Sequence, residues 1–317
     1  MSTDISNSIA PIVLFVYKRP IHTLKTLKSL KNNILAKEST LYVYCDGGKK
    51  DISKEDLKLL DETRRIVASE KWCRDVQIIE HDRNLGLAKS IVKGVSEVLD
   101  KHERVIVLED DLILSTGFLE YMNKALTLYV EDEEVCSVSG YFFPINEQFT
   151  DTFFLKIITT WGWGTWKRAW NDYNHDLNSL KNTIKSKEEM YRFNVDNSYN
   201  YYAQYLKNLN GNSETWGIRW YMSNFKNQKL TLFPNKTLIQ NIGHDDSGEN
   251  CSSESSFNTS QLADSIKVDR IQVAESISSR KFLVDYFNEI SGGVNVNRGF
   301  IYYLRRLKNI VLKLLCK

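Results

Sequence analysis

Val105-Ile106-Val107-Leu108-Glu109-Asp110-Asp111 sets four apolar residues directly against three acids. A short apolar run bounded by polar residues suits a strand buried on both faces. Three adjacent carboxylates at its far end repel one another unless a cation or hydrogen-bond donors offset the charge. In open α/β sheets, ligands bind just beyond the carboxyl ends of the strands. The acids therefore stand where a hard cation such as Mg2+ or Mn2+ could bridge protein and a phosphorylated ligand. A solvated acidic turn after a strand fits the same seven residues, so the flanking chain has to decide.

Other strand ends point the same way. Residues 11–16 form a second apolar run, which ends in Tyr17, Lys18 and Arg19. Residues 41–44 (Leu-Tyr-Val-Tyr) are strand formers and run into Cys45, Asp46, Gly47 and Gly48. Between them, residues 22–31 place leucines every three positions, a helical spacing. Residues 53–69 read as a second helix with apolar positions at Leu57, Leu59, Leu60 and Ile66. A further strand, Val76 to Ile79, precedes Arg83-Asn84-Leu85-Gly86-Leu87-Ala88 and a helix from Lys89 to Leu99. This alternation predicts an α/β sheet with right-handed crossovers. Its gathered strand ends offer an aromatic ring, a cation, a lone Asp and an acidic triplet. That set suits a nucleoside diphosphate: stacking for a base, a carboxylate for base or ribose, a metal for the pyrophosphate.

Residues 8–140 resemble a GT-A glycosyltransferase, the fold of many nucleotide-sugar-dependent transferases. The likeness is carried by Val13-Leu14-Phe15-Val16-Tyr17-Lys18-Arg19, by the Asp46 strand end, and by Arg83 to Ala88 ahead of a helix. Glu109-Asp110-Asp111, followed by Leu112 and Gly117-Phe118-Leu119, is similar to the acidic metal motif of the N-acetylglucosaminyltransferase I family and related bacterial transferases. Bacterial family 2-like members with the Trp161-Gly162-Trp163-Gly164-Thr165-Trp166 run are similar too, and commonly serve polysaccharide and lipopolysaccharide biosynthesis. The resemblance implies a Rossmann-like, mixed but mostly parallel sheet flanked by helices. It implies metal-dependent transfer of a hexose or N-acetylhexosamine from a UDP-linked donor to a glycan. Val16, Tyr17, Arg19, Asp46, Arg83, Asn84, Leu87, Lys89 and Glu109 would then hold the donor, with Asp110 facing ribose or sugar. Asp111 would hold Mn2+ or Mg2+.

The second half is where acceptor chemistry is expected. Residues 161–170 carry four tryptophans, which suit either sugar faces or a packed core turn. On the resemblance, Trp163 and Gly164 border the donor sugar, with Trp161 and Trp166 partly structural. An inverting transferase needs a base for the acceptor hydroxyl, usually a carboxylate. The resembled family has an Asp immediately before a Trp here, but this chain has Arg219 before Trp220. Glu214, two residues before Trp216, is the nearest carboxylate and the candidate base; a helix-start acid is its other reading. Arg219 could face a diphosphate or acceptor phosphate, or form a structural ion pair. By the resemblance His244 joins Asp111 on the metal, with pyrophosphate oxygens and water completing an octahedron. Taken alone, a loop histidine is ordinarily a solvated side chain. The histidines at 22, 81, 102 and 175 carry no comparable signal.

The remaining features set bounds. With 317 residues and 42% hydrophobic content, one large α/β domain can fill its core. Its expected span is 1–260, with nucleotide-binding residues at 8–140, an acceptor part at 141–260 and a helical extension at 261–317. A net charge of +2 gives no call for nucleic acid. Five cysteines without metal-type spacing, and no signal-peptide pattern, read as reduced thiols in a cytoplasmic protein. There is no apolar run long enough to span a bilayer. Residues 245–260 are Ser-, Asn- and acid-rich and suit a loop that could fold over a donor. Phe300, Leu304, Leu307, Val311 and Leu314 share a helical face beside Arg305, Arg306, Lys308 and Lys313. Residues 300–317 are thus either a basic amphipathic helix lying on the inner face of the membrane, near a lipid-linked acceptor, or a packing element. Two other functions stay open: a sugar-nucleotide pyrophosphorylase, although Tyr17-Lys18-Arg19-Pro20 is not its Gly-rich basic loop, and a non-catalytic glycan binder. Oligomeric state has no signature here.

Overall fold

The computed structural model describes residues 9–147, 149–245, 257, 259 and 261–291. Most of the expected loop at 245–260, and the basic helix at 300–317, lie outside the described residues. The chain runs β1 (Ile12–Val16), α1 (Pro20–Lys31), β2 (Thr40–Cys45), α2 (Lys54–Ala68), β3 (Asp75–Glu80), α3 (Leu87–Leu99), β4 (Arg104–Glu109) and β5 (Leu112–Leu114). It continues through α4 (Phe118–Leu128), β6 (Val135–Ser139), β7 (Thr152–Leu155), β8 (Trp163–Trp166), α5 (Lys167–Trp170) and α6 (Leu177–Leu180). The described chain closes with α7 (Lys187–Phe193), α8 (Tyr201–Leu209), α9 (Trp216–Lys226), β9 (Leu230–Pro234), β10 (Ile239–Asn241) and α10 (Ile277–Ser291).

Eight strands make one sheet in the order β3-β2-β1-β4-β8-β6-β9-β7. The β3-β2-β1-β4 half is parallel throughout; β8 pairs antiparallel with both β4 and β6. The sheet is thus the mixed, mostly parallel, helix-flanked sheet of a GT-A fold. From β1 the chain steps outward to β2 and β3, then returns to lay β4 on the other side of β1. Such a reversal opens a crevice at the strand ends, here between Val16–Arg19 and Glu109–Asp111. Val105, Ile106, Val107 and Leu108 are essentially inaccessible, as an apolar run between two helical layers should be.

The second helix forms where the apolar spacing places it and buries one narrow stripe. In α2 the buried stripe is Leu60, Thr63 and Val67, while Leu57 and Leu59 are exposed. A surface helix buries one narrow face, and Thr63 serves it by turning its hydroxyl onto the Leu59 carbonyl at 2.8 Å.

Helix α10 belongs to the same core. Phe287 is fully buried, with its ring 4.9 Å from Phe143 and 4.9 Å from Tyr199. The helix is fastened by Arg280, which pairs with Asp196 at 2.8 Å and Glu275 at 3.0 Å. Asp196 sits in a run of three left-handed residues, Val195, Asp196 and Asn197, at φ 49°, 55° and 57°. Each such residue without glycine's freedom costs about 1 kcal/mol or more, so the surrounding contacts must hold the turn. Arg280→Ala is expected to lower the unfolding free energy by about 2 kcal/mol in urea titrations, because two acids lose their cation and the strained turn loses its tie. No described helix is long and apolar enough to cross a membrane.

Candidate active site

The Asp46 carboxylate is the first organising feature beyond the sheet. It accepts hydrogen bonds from the Gly47 amide at 2.9 Å, Asn84 Nδ2 at 3.0 Å, the Leu85 amide at 2.8 Å and the Gly86 amide at 3.0 Å. A carboxylate has about four acceptor sites, so these four donors saturate it. Asp46 therefore shapes the Asn84 loop. The loop lies close enough that a Cβ on Gly47 would overlap the Arg83 backbone. Asp46→Asn would set an amide donor against these donors; we expect nucleotide affinity to fall about tenfold or more, read by titration with UDP. Val16 is buried, and its carbonyl accepts the Asp46 amide, so its part is to hold that strand end. Arg83, Leu87 and Lys89 are exposed around the loop, and Tyr17, at the end of β1, is half-buried.

The acid triplet is held from two sides. On one side, α1 starts at Pro20, where a missing N–H and fixed φ suit a first turn. Its Thr26 hydroxyl donates to the Asp110 carbonyl at 2.8 Å and accepts the Leu112 amide at 3.2 Å. On the other side, β5 and β10 pair antiparallel, with Leu112 opposite Asn241, and the Ile242 amide donates to the Asp111 carbonyl at 2.8 Å. This ribbon carries Gly243 and His244 to the triplet. A Cβ on Gly243 would overlap Asp111 Oδ2, so the chain passes here because residue 243 has no side chain.

Arg19 Nη1 stands 2.9 Å from Asp111 Oδ2 and 3.7 Å from Asp110 Oδ1. Its Nη2 lies 3.4 Å from Asp245, which also meets His22 Nε2 at 3.1 Å. No local pattern singles out His22; its place beside Asp245 depends on a contact between residues far apart in the chain. One guanidinium cannot neutralise three carboxylates. Burial first, then the charges of Asp111 and Asp110, hold the Glu109 carboxyl above the ordinary range. Burial and Asp111 likewise raise Asp110, while Arg19 and the Tyr17 amide pull it back.

A divalent cation would relieve that excess charge, and carboxylate oxygens with a neighbouring imidazole suit Mn2+ or Mg2+. Among the described residues no three His, Cys, Asp or Glu side chains converge on one point. A cation held by Asp111 and His244 would therefore draw further oxygens from a bound ligand and water, as such ions commonly do on phosphates. The pH dependence follows from the raised acids. They bind protons more tightly in the folded chain, so their stabilisation is complete below the ordinary carboxylate range and is lost as pH climbs through their raised values. Cation binding expels those protons and should tighten as pH rises. Thermal unfolding between about pH 5 and pH 8 should show the apo protein losing stability with rising pH, and Mn2+ with UDP recovering it most at the upper end.

Beyond the acids lies a cleft of about 350 Å3, walled by Leu87, Glu109, Trp161, Tyr201, Glu214 and His244 among others. Trp161 is half-buried, with its ring centroid 4.6 Å from Tyr141 and 5.5 Å from His244. Trp163 and Gly164, expected to border a donor sugar, are placed in the sheet. Both lie inside β8, buried between β4 and β6, with Trp163 5.1 Å from Trp216 and Gly164 packed under Met122 and Leu126. Trp161, two residues earlier, is the tryptophan of this run at the cleft. Trp166 is structural: its indole N–H donates to the Leu126 carbonyl at 2.9 Å.

Glu214 lines the cleft from an exposed loop position before α9, whose N-cap is Thr215, so it is not a first-turn acid. The charges of Arg219 and Glu214 both reach Tyr173, and Arg219 is not part of the cleft wall. Sequence reasoning did not find Tyr141, Phe143, Tyr199, Tyr201 or Phe287, which share this cleft. The clustered tyrosines at 199, 201 and 202 were the available signal.

Glycosyl transferase family 2 matches residues 12–184, more than half of the chain. No curated protein matches it. Among solved structures, the mannosyltransferase PcManGT from Pyrobaculum calidifontis, in complex with GDP-Man and Mn2+, is 9% identical over 69% of this chain and 68% of its own, with a TM-score of 0.38. TarS of S. aureus is 13% identical over 73% of this chain and 36% of its own, with a TM-score of 0.39.

Proposed function

Since the chain belongs to glycosyl transferase family 2, we propose that it moves a sugar from a UDP-linked donor to a glycan acceptor. The observation that carries this reading is the meeting of three groups at one end of the parallel strands: the Asp46-held loop, the Arg19–acid cluster and the cleft with Glu214. The nucleotide lies across the ends of β1 and β2 against Tyr17 and the Asn84 loop, and its diphosphate reaches toward Arg19 and Asp111. Asp111 and His244 are the residues that would hold Mn2+ or Mg2+, which when bound supplies positive charge to the departing diphosphate. Arg19 adds its own fixed charge at the same place.

Glu214 receives the proton of the acceptor hydroxyl as its oxygen forms the new bond to the anomeric carbon and the sugar–phosphate bond breaks. The diphosphate leaves with the electron pair of that bond. Attack from the side opposite the leaving group inverts the anomeric centre. Trp161 and the surrounding rings exclude water, whose attack would waste the donor.

The transferred unit on this reading is a hexose or N-acetylhexosamine, and the product a surface polysaccharide built on the cytoplasmic face. Three buried free thiols, Cys45, Cys73 and Cys136, are compatible with that compartment. Residues 300–317 would touch the membrane beside a lipid-linked acceptor. Incubating the full chain with UDP-, GDP- and dTDP-sugars and Mn2+ tests the reading through diphosphate release and product anomer by NMR. One UDP-sugar consumed with inversion supports it. No turnover or binding of any nucleotide sugar would sink it.

A further inference from the structure

Two cavities flank the acid cluster, and they differ in charge. One, about 570 Å3, opens beside the first turn of α1 and is walled by Lys18, Arg19, His22 and Lys25, with Asp56 paired to Lys18 and Asp245 to Arg19. The other is the aromatic cleft, whose described walls carry Glu109, Glu214 and His244 but no lysine or arginine. Of the cations around it, Arg19, whose charge reaches Glu109, is paired with Asp111, and Arg280 is held by Asp196 and Glu275.

We propose that this division selects the acceptor: the accepting sugar is an uncharged pyranose, without carboxylate or phosphate, seated between Trp161 and the first turn of α9. The inference rests on the transferase reading above and adds the substrate class. A uronic acid or sugar phosphate in this cleft would bring its anion beside the Glu214 carboxylate, against a described wall that carries no lysine or arginine. Both like-charge repulsion and loss of hydration oppose that. A neutral pyranose meets what the wall does offer. The Trp161 ring presents an apolar face for the CH side of a sugar. Thr160, Thr215, Gln204 and Tyr201 are neutral hydrogen-bonding side chains that match hydroxyls. A purely alkyl ligand would leave such polar groups unmatched.

Saturation-transfer NMR on the full chain with UDP and Mn2+ tests this with a matched pair. Methyl β-D-glucopyranoside and methyl β-D-glucuronide differ by one carboxylate. The neutral glycoside should bind at least about tenfold more tightly than the glucuronide. Gly217 supplies the second arm, since a Cβ there would stand 3.3 Å from Thr160 Cγ2 across the cleft wall. Gly217→Leu should fill the cleft and weaken neutral glycoside binding at least about tenfold while UDP titrates as in wild type. If Gly217→Leu also loses UDP, and so its fold, Trp161→Ala carries the same comparison. Equal or tighter glucuronide binding overturns the proposal. So does neutral binding that survives the cleft variants, or a wild-type protein that binds neither glycoside. UDP binding is read in the same samples, so its absence would sink the transferase reading separately from the glycoside result.

Discussion

Asp111→Asn should lower the transfer rate by about 10^3-fold, with the metal dependence of the rate largely lost. Asparagine keeps the shape of the side chain that Gly243 makes room for, but removes the charge that faces Arg19 at 2.9 Å. Folding should survive the change. Arg19 retains Asp110 at 3.7 Å and Asp245 at 3.4 Å, and removing one of three crowded carboxylates relieves repulsion on the others. Initial rates across a range of Mn2+ would separate the outcomes. A rate within a few-fold of wild type, still responding to Mn2+, would move Asp111 to a purely structural role.

Glu214→Gln should reduce kcat by about 10^2- to 10^4-fold, the usual reach of a positioned general base. Its position makes the test clean. Glu214 is exposed, lies in the loop before α9 and contributes nothing to the core, so thermal stability should stay within about 0.5 kcal/mol of wild type. Nucleotide binding should also change little, because the Asp46-held loop and the Arg19–Asp111 pair are built on β1, β2 and β4 and not on the loop that carries Glu214. The diagnostic readout is the pH–rate profile, whose acid limb should disappear with the carboxylate. An unaltered kcat would return the search to Glu109, the other carboxylate among the described residues at this cleft.

The parallel half of the fold was legible because each strand is a short apolar run with turn residues at its end, and such runs need no distant partner to be recognised. β1, β2, β3 and β4 all fall within a residue or two of where the apolar pattern ends. The acid triplet was legible for the same reason. What pattern could not show was where a saturated polar group spends its hydrogen bonds. Asp46 stands at a strand end like a ligand contact, yet four donors from its own loops fill it.

The tryptophan run carries no local sign of its register. In a run of aromatics and glycines nothing local says that residues 163–166 insert as an antiparallel strand, which buries Trp163 and leaves Trp161 at the cleft. The cleft itself joins segments around residues 141, 160, 200, 216 and 287, and no single stretch announces it. Likewise the approach of Gly243 to Asp111 depends on the β5–β10 ribbon, a pairing between residues more than a hundred positions apart.

The central claim is that these strand ends bind a nucleoside diphosphate with a divalent cation. Calorimetric titration of the full chain with UDP, in Mn2+ and then in EDTA, addresses it most directly. Binding that is tight in Mn2+ and at least tenfold weaker in EDTA, on the order of 1.4 kcal/mol, is the expected result. Equal affinity in both, or no binding in either, would contradict it.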